Sequence, residues 1–260
     1  MRCLVRAVAI AAVAFGVSPA LAADDVADDP ASEPRDIIID LGIGGQLEPK
    51  FPSSRKYLIQ PYPIANLKFL RLPVLGEVVT GKTKAISIYP SFNIVGDRSQ
   101  SDASYLRGVA NVDTAIELGP GVAVQHGMFR AFAEVRYGFF GHSGFVANAG
   151  LDLITNPWPR LQIRGGPRVS LASDDYMDTY FKTTATAVSL PAFDPDAGFK
   201  DVGVAAVASY SLTDSIILHG RAAYTRFVGD AADSPIVKAG NEDEFAVGVG
   251  ITYRFGFDLY

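Results

Sequence analysis

Cysteine is almost absent from this 260-residue sequence, which has a single one at Cys3. One cysteine cannot form an intramolecular disulfide, and it offers no cysteine pair for a zinc site. Histidine is nearly as scarce, with three residues at His126, His142 and His219. They stand far apart, and none belongs to a paired metal-binding motif such as HExxH. We therefore expect a protein that holds no metal and no cofactor.

Basic residues are in the minority, since 23 Lys and Arg stand against 28 Asp and Glu and the formal net charge is −5. Nucleic-acid-binding proteins usually carry the opposite balance, because phosphate contacts need cations. A nucleic-acid partner is therefore not expected. Long apolar runs are missing as well. No stretch of 18 consecutive apolar residues occurs after residue 22, so no transmembrane helix is predicted.

The first 22 residues have the layout of a secretory signal peptide. Two arginines precede an uncharged apolar run over residues 7–17, and Ser18, Pro19 and a small-x-small stretch that ends at Ala22 follow. The run is shorter than the roughly 20 residues of a spanning helix, so we predict a signal peptide over 1–22 rather than a membrane anchor. Its removal changes the formal net charge from −5 to −7, because both arginines leave with it. Residues 23–35 are acidic and rich in Pro and Ala, and they are predicted to form a flexible lead-in.

The rest of the sequence is rich in segments where apolar residues alternate with small or polar ones. Residues 244–257 read EFAVGVGITYRFGF, in which every second residue from Phe245 to Phe257 is apolar and those between are small or polar. Strict period two over this length predicts a β-strand. The same pattern recurs nine times upstream. Ten strands are therefore predicted, around 37–43, 56–71, 86–94, 112–124, 129–137, 145–153, 161–171, 202–210, 216–224 and 245–257.

The lengths of the connections predict how these strands are arranged. Three of the five odd-numbered connections, at 97–109, 173–199 and 229–243, are long, whereas three of the four even-numbered ones are short turns. Long loops at one end and short turns at the other are typical of outer-membrane barrels. Residues 36–260 are therefore predicted to form an all-β, closed antiparallel transmembrane β-barrel of ten strands. The alternative is twelve strands, if residues 173–198 form a further hairpin.

Alternation alone leaves open which face points outward, and a lipocalin-like soluble barrel would bury the apolar face. The other face, however, is rich in Gly, Ala and Ser and carries charges of both signs, which suits a crowded lumen where charges pair. Aromatic residues on the apolar face fall near strand ends, as in interfacial girdles. We therefore expect outer-membrane lipid against the apolar face. The predicted lumen-facing charges are Asp40, Glu117, Glu134, Arg136, Asp152, Arg164, Arg168, Arg221 and Arg254.

Five stretches resemble the MltA-interacting protein (MipA)/OmpV family of Gram-negative outer-membrane proteins. They are LGPGVAVQHG (118–127), RAFAEVRYGFFGHSG (130–144), FKDVGVAAVASYSLTDS (199–215), YTRFVGDAADSPIV (224–237) and GVGITYRF (248–255). The resemblance implies a structural, scaffolding or interaction protein of the cell outer membrane. It also implies a lytic transglycosylase and a murein synthase as partners, because one member of the family is linked to both. Such a protein would connect the outer membrane to cell-wall enzymes.

Catalysis, calcium binding and solute transport are the three alternatives to a scaffold. His142, Ser143 and Glu134 could supply a base, a nucleophile and a carboxylate, but no GxSxG motif frames the serine, so no enzyme is predicted. Aspartates near loop 229–243 could hold calcium, although a solvated loop is the simpler interpretation. The main alternative to a scaffold is a narrow channel for small solutes, because ten strands make a narrow barrel and glycines on the inner face leave space.

Overall fold

The computed structural model describes residues 37–72, 76–79 and 86–258, so the predicted signal peptide and lead-in lie outside it. The described strands are β1 (Ile37–Pro49), β2 (Tyr57–Leu72), β3 (Gly76–Val79), β4 (Ile86–Val95), β5 (Ala115–His126), β6 (Phe129–Phe140), β7 (Phe145–Trp158), β8 (Leu161–Ala172), β9 (Gly198–Ser211), β10 (Ile216–Phe227) and β11 (Asp243–Phe257). The helices are α1 (Asp174–Phe181), α2 (Gly229–Asp233) and α3 (Pro235–Ala239), with a 3-10 turn at Ser104–Leu106. None of the helices in these ranges is long and apolar enough to cross a membrane.

All eleven strands belong to one antiparallel sheet, in the order β3-β2-β1-β11-β10-β9-β8-β7-β6-β5-β4. Apart from the junction of β1 with β11, neighbours in the sheet are also neighbours in sequence, which is an up-and-down meander. The first strand and the last pair antiparallel, from Ile37 opposite Phe257 to Leu47 opposite Val247. The sheet therefore curls until both ends of the described chain meet, and β3 and β4 are its two outermost strands.

Each of the ten predicted strands has a counterpart, and the eleventh is the short β3, which lies in a predicted loop and pairs with the end of β2. The twelve-strand alternative is wrong, because α1 occupies the first part of residues 173–198 and no hairpin of strands forms within that described segment. In α1, Tyr176 and Tyr180 are four residues apart, as are Met177 and Phe181, and all four are buried. A spacing of four residues is typical of a helix, whereas the side chains of a strand repeat every two residues.

The apolar face of the sheet points outward and the polar face inward. Val249 is 71% exposed and Ile43 is 62% exposed, whereas Thr252 and Asp40 on the same two strands are each 1% exposed. Successive side chains of a strand point to opposite faces, so the register of the strand determines both its outward-facing and its inward-facing residues. This is the reverse of a lipocalin-like soluble barrel, in which the apolar side chains would be inside.

Outward-facing aromatic residues lie at both ends of the strands, with aliphatic residues between them. At the end with the long loops they are Phe139, Phe140, Phe145, Phe199 and Phe245, and at the end with the short turns they are Phe129, Trp158, Tyr210, Tyr253 and Phe257. Aliphatic residues such as Val122, Leu151, Val204 and Val249 are exposed between the two groups. Two aromatic rows around an aliphatic band are typical of a surface that meets lipid at both interfaces.

Glycines on the inner face make room for large rings from neighbouring strands. A Cβ atom added to Gly121 would lie 2.4 Å from the ring of Tyr89, and one added to Gly150 would lie 2.6 Å from the ring of Phe132. No side chain fits at either position unless the ring moves. The glycines thus allow aromatic residues to fill the interior of the sheet.

The long loops fold together into a lid, which consists of residues 96–114, 173–197 and 228–242. Twelve buried side chains from the lid and the strand ends beneath it form one apolar cluster: Val95, Val112, Ala115, Val146, Ala172, Tyr176, Met177, Tyr180, Phe181, Phe227, Ala231 and Val237. A second cluster joins the lid to the β1–β2 loop through Phe51, Leu106, Val109 and Ile236. Burial of this much apolar surface holds the loops over one end of the sheet.

Candidate functional site

The first group of charges on the inner face consists of Glu117, Glu134 and Arg136, here the Glu117 cluster. Arg136 donates from Nε to Glu117 Oε2 at 3.1 Å and from Nη1 to Glu134 Oε2 at 2.8 Å. The strands explain this geometry. Glu134 and Arg136 are two residues apart on β6 and share a face, while Glu117 lies on β5 opposite Gly138, diagonal to Arg136. All three residues are buried.

Strand β4 supplies neutral donors to both carboxylates of the Glu117 cluster. Tyr89 Oη donates to Glu134 Oε1 at 2.9 Å, and Ser91 Oγ donates to Glu134 Oε2 at 2.8 Å. Asn93 donates from Nδ2 to Glu117 Oε2 at 3.1 Å. Each buried carboxylate thus has an arginine and neutral donors, which is what a buried ion needs to offset its desolvation.

The second group consists of Arg130, Asp152, Arg164 and Arg168, here the Asp152 cluster. Arg130 lies directly opposite Asp152 across β6 and β7, and its Nη1 is 3.2 Å from Asp152 Oδ2. Arg168, on β8, bonds the other oxygen of Asp152. Arg164 is buried beside them and interacts electrostatically with the other three. Three guanidinium groups therefore surround one carboxylate.

The ring of Phe132 contacts two of the arginines in the Asp152 cluster. The guanidinium carbons of Arg130 and Arg168 each lie 5.0 Å from the centre of this ring. A cation over the face of an aromatic ring is attracted by its quadrupole. Phe132 thereby favours two like charges that would otherwise repel each other.

Two predicted charges, Asp40 and Arg254, form a pair that joins β1 to β11, here the closing pair. They lie directly opposite each other in the register. Arg254 Nε is 2.9 Å from Asp40 Oδ1, and Arg254 Nη2 is 3.2 Å from Asp40 Oδ2. Two parallel hydrogen bonds of this kind fix orientation as well as distance. The pair therefore specifies the register where the two ends of the described chain meet.

Arg221, the last of the predicted charges, is half-buried on β10. No hydrogen bond or ion pair to it occurs within the described part of the chain. It interacts electrostatically with Glu48 on β1 and with Tyr62 on β2. Arg221 therefore stands apart from the Glu117 cluster, the Asp152 cluster and the closing pair.

His142 connects the lid to the Glu117 cluster. The backbone N–H of Gly144 donates to His142 Nδ1 at 3.1 Å, so the ring proton lies on Nε2 and is donated to Glu117 Oε1 at 3.2 Å. The rings of Tyr176 and Tyr180 in α1 pack edge-on against the imidazole at 4.8 and 5.5 Å. His142 thus fixes α1 over the inner face.

The arrangement of His142 differs from that of a hydrolase. Both of its ring nitrogens are occupied by structural hydrogen bonds, and neither Ser143 nor Glu134 is a partner in them. Ser143 is exposed, whereas His142 is buried. Within the described ranges no group of three or more His, Cys, Asp or Glu side chains could hold a metal ion.

Arg98 is a lid residue that no sequence pattern singles out. It is buried, and its guanidinium donates to the carbonyl oxygens of Tyr180 at 2.6 Å and Thr179 at 2.9 Å. These are carbonyls at the end of α1, where a positive charge is favourable. Burial lowers the pKa of Arg98 to about 10, which leaves it protonated at neutral pH.

A cavity of about 360 Å³ opens on the inner face. Five arginines line it (Arg130, Arg136, Arg164, Arg168 and Arg221), together with the carboxylates of Glu48, Glu134, Asp152 and Asp201. The alternation pattern puts Arg130 and Asp201 on the inner face, although neither is among the candidate charges, and Asp201 pairs with the neighbouring Lys200 at 2.8 Å. Glu48 was missed, because its strand was predicted to end earlier.

The family profile described as MltA-interacting protein MipA matches residues 41–255 of the chain. The chain belongs to the MipA family. This result confirms the resemblance found in the sequence. Membership of this family, together with an apolar outward face, places the protein in the outer membrane. No curated protein matches the sequence significantly.

Solved structures of outer-membrane proteins resemble the fold at low identity. Neisserial surface protein A matches at 8% identity and a TM-score of 0.30 over 85% of this chain and 97% of its own. Outer membrane protein H from P. aeruginosa matches at 13% and 0.33 over 85% and 99%. An outer-membrane channel from Pseudomonas putida matches at 9% and 0.42 over 88% and 99%.

Proposed function

We propose that this MipA-family chain is a closed outer-membrane barrel that acts as a structural or interaction protein rather than as an open channel. The observation that carries the proposal is the lid, whose apolar core is fully buried over one end of the sheet. Below it, the Glu117 and Asp152 clusters extend from adjoining strands into the interior. An interior filled by a packed lid and paired charges suits a scaffold better than a conduit.

Contacts between the two sides of the sheet support closure of the barrel. Lys50, in the β1–β2 loop, pairs with Asp97 at 3.2 Å and Asp102 at 2.6 Å, and both aspartates follow β4. The start of β2 and the end of β4 are therefore close together at the lid end. In lipid, a closed sheet is the only β-arrangement that leaves no backbone group unpaired. We further propose that residues 1–22 direct export as a signal peptide and are then cleaved off.

The orientation follows from the connections. Outer-membrane barrels keep their short turns in the periplasm and their long loops outside, so the lid faces the exterior. The short turns between β5 and β6, β7 and β8, and β9 and β10 then face the cell wall. Met128, Trp158 and Leu212 are exposed at this end. This is the surface that can reach periplasmic enzymes.

The family description suggests the partner. MipA is described as an MltA-interacting protein, and we propose that the short-turn end binds a lytic transglycosylase of that type. A murein synthase is the second partner implied by the resemblance. The barrel would then hold cell-wall enzymes at the outer membrane, and no catalytic role of its own is proposed.

Binding to a purified lytic transglycosylase tests the partner proposal. The double variant Met128→Asp/Leu212→Asp should lose binding, because both side chains are exposed at the short-turn end. Val188→Asp is the matched control, since Val188 is 75% exposed on the lid at the opposite end. Equal affinities of the parent and the double variant would contradict docking at the short turns, and no binding by the parent would contradict the partner.

Single-channel recording in planar bilayers tests the closed interior, and the 360 Å³ cavity is the reason to consider a channel at all. The parent protein should be silent. The control is a variant that lacks lid residues 184–192, none of which belongs to the twelve-residue apolar cluster. It shows whether a disturbance of the lid surface alone causes leakage. Steady unitary currents from the parent would favour the channel for small solutes and overturn the closed scaffold.

A further inference from the structure

Gln46, on the wall of the interior cavity, has a buried polar atom that no described residue satisfies. Its side chain is 8% exposed, and its amide nitrogen bonds Glu48, the next inward-facing residue of β1. The amide oxygen Oε1 is buried and accepts no hydrogen bond from the described part of the chain. A buried acceptor without a donor is costly. A ligand that donates a hydrogen bond to Oε1 removes that cost.

Arg221 and Glu48 are opposite charges that line the same cavity without touching. Both are half-buried, and they interact electrostatically. Among the described side chains, however, no hydrogen bond or ion pair joins them, and Glu48 is bonded only by Gln46. This part of the wall therefore presents a cation and an anion that are held apart, with the open acceptor of Gln46 beside them.

The strand register places these groups around one glycine. Gln46 on β1 and Arg221 on β10 both lie directly opposite Gly248 on the intervening strand β11. A Cβ atom added to Gly248 would lie 3.1 Å from Arg221 Cγ, so the arginine stem lies against the glycine. Adjacent strands are about 4.8 Å apart, which separates the backbones of β1 and β10 by about 10 Å. Side chains from both strands can therefore contact one small molecule above Gly248.

From this arrangement we propose that the cavity binds a small zwitterion of the amino-acid class, with its carboxylate on Arg221 and its ammonium group on Glu48 and Gln46 Oε1. This goes beyond the proposed scaffolding role and does not depend on it. A guanidinium group offers a carboxylate two parallel donors. An ammonium group has three N–H donors, which suit a carboxylate and an amide oxygen together. A ligand with a single charge leaves one side of the site unmatched.

Tyr62 adds a hydroxyl group to the same part of the wall. It lies opposite Gly44 on β1, and its ring fills the space that a side chain there would need, 2.5 Å from an added Cβ atom. Its hydroxyl lies 3.2 Å from a Cβ atom added to Gly250, so the ring reaches across β1 to β11. Tyr62 interacts electrostatically with Arg221 and lines the cavity. Its hydroxyl can donate to the ligand carboxylate.

The rest of the cavity determines the body of the ligand. Its wall includes the apolar residues Ile64, Phe92 and Val207. Ligand pockets commonly combine such walls with a few polar groups that fix orientation, in volumes from about 300 Å³ upwards. A cavity of about 360 Å³ therefore suits a single amino acid with an apolar side chain rather than a polymer.

Calorimetric titration of the folded protein in an uncharged maltoside detergent tests the site with three matched ligands. Phenylalanine carries both charges, phenylpropionate lacks the ammonium group, and phenethylamine lacks the carboxylate. One equivalent of phenylalanine should bind, and each of the other two should bind about tenfold more weakly or worse, as expected for loss of a charge-assisted contact.

Two substitutions assign the charges of the ligand to their partners. Arg221→Gln should bind phenylalanine no better than phenethylamine, because the carboxylate has lost its partner. Glu48→Gln should bind phenylalanine no better than phenylpropionate, because the ammonium group has lost its partner. Arg226→Gln is the matched control and should keep the preferences of the parent, because Arg226 lies on the same strand as Arg221 but is exposed and pairs with Asp243.

The three ligands decide the matter on the parent protein alone if either variant does not fold. Phenylpropionate bound as tightly as phenylalanine would indicate a site for anions, and phenethylamine bound as tightly would indicate a site for cations. Either result, or no binding of phenylalanine, would overturn the proposal. A folded Arg221→Gln variant with the ligand preferences of the parent would overturn it as well.

Discussion

At the scale of single residues, the stability of the interior depends on the carboxylates that neutralise its buried arginines. Asp152 is nearly inaccessible, and both of its oxygens are engaged, one by Arg130 and the other by Arg168. Desolvation makes an isolated buried charge expensive, so the aspartate stabilises the fold mainly by preventing two arginines from being buried alone. Its removal therefore matters more than its pairwise attraction suggests.

Asp152→Asn is expected to lower the free energy of unfolding by about 3–5 kcal/mol, the usual cost of breaking a buried ion pair on one side. Urea unfolding of the detergent-solubilised protein measures it. Asp214→Asn is the control, because Asp214 is 91% exposed and lies 3.7 Å from Arg160 at the surface. Such exposed pairs contribute about 0–1 kcal/mol. Similar losses in the two variants would argue against a buried, paired interior.

The inner-face charges show what alternation in a sequence can predict. Glu117, Glu134, Arg136 and Asp152 are found on the inner face because period two assigns every residue of a strand to one side or the other. The partners within the clusters could not be predicted, because they depend on strand register. Arg98 had no signal at all, since its role follows from the position of α1 after the loops have packed.

At the scale of elements, the lid and the β1–β11 junction are the two features that organise the molecule. Strands were predictable from long alternating segments, whereas α1 is eight residues long and lay inside a predicted loop. The short β3, four residues long, was missed for the same reason. Elements of this size carry too few residues for periodicity to distinguish them, and packing against the rest of the chain determines them instead.

Met177→Ala should loosen the lid without unfolding the strands. Met177 is fully buried in the apolar cluster, and truncation of such a residue costs about 2–5 kcal/mol where the site cannot collapse. Hydrogen exchange should accelerate at the amides of α1 and stay slow in β5 to β11. Asp178→Ala on the exposed side of the same helix is the control. Uniform acceleration through the strands would contradict an independently packed lid.

A charge exchange at the closing pair tests the junction of β1 with β11. Asp40→Arg places two arginines opposite each other and should reduce the folded fraction, because like charges opposite each other in a sheet are destabilising. The double variant Asp40→Arg/Arg254→Asp should recover part of it. Folded fraction is read from heat-modifiable migration in gels. A double variant no better folded than Asp40→Arg would argue against direct pairing of these residues.

At the scale of the whole molecule, the protein is turned inside out relative to a soluble barrel. Its charges face inward and its aliphatic residues face outward between two rows of aromatic residues. The sequence predicted this arrangement, because a face rich in Gly, Ala and Ser with charges of both signs suits a crowded lumen, and aromatic residues near the strand ends of the apolar face suit the two membrane interfaces. The lid and the detailed charge pairing were beyond prediction, because both arise from contacts between segments far apart in the chain.

Cysteine labelling of the folded, membrane-inserted protein tests this orientation most directly, because residues 37–258 contain no cysteine. Val249→Cys should react with a probe confined to the bilayer and resist a water-soluble reagent. Thr252→Cys, on the inner face, should resist the bilayer probe, and Val188→Cys on the lid should react with the water-soluble reagent. Ready reaction of Val249→Cys with the water-soluble reagent, together with protection from the bilayer probe, would contradict a lipid-facing apolar surface.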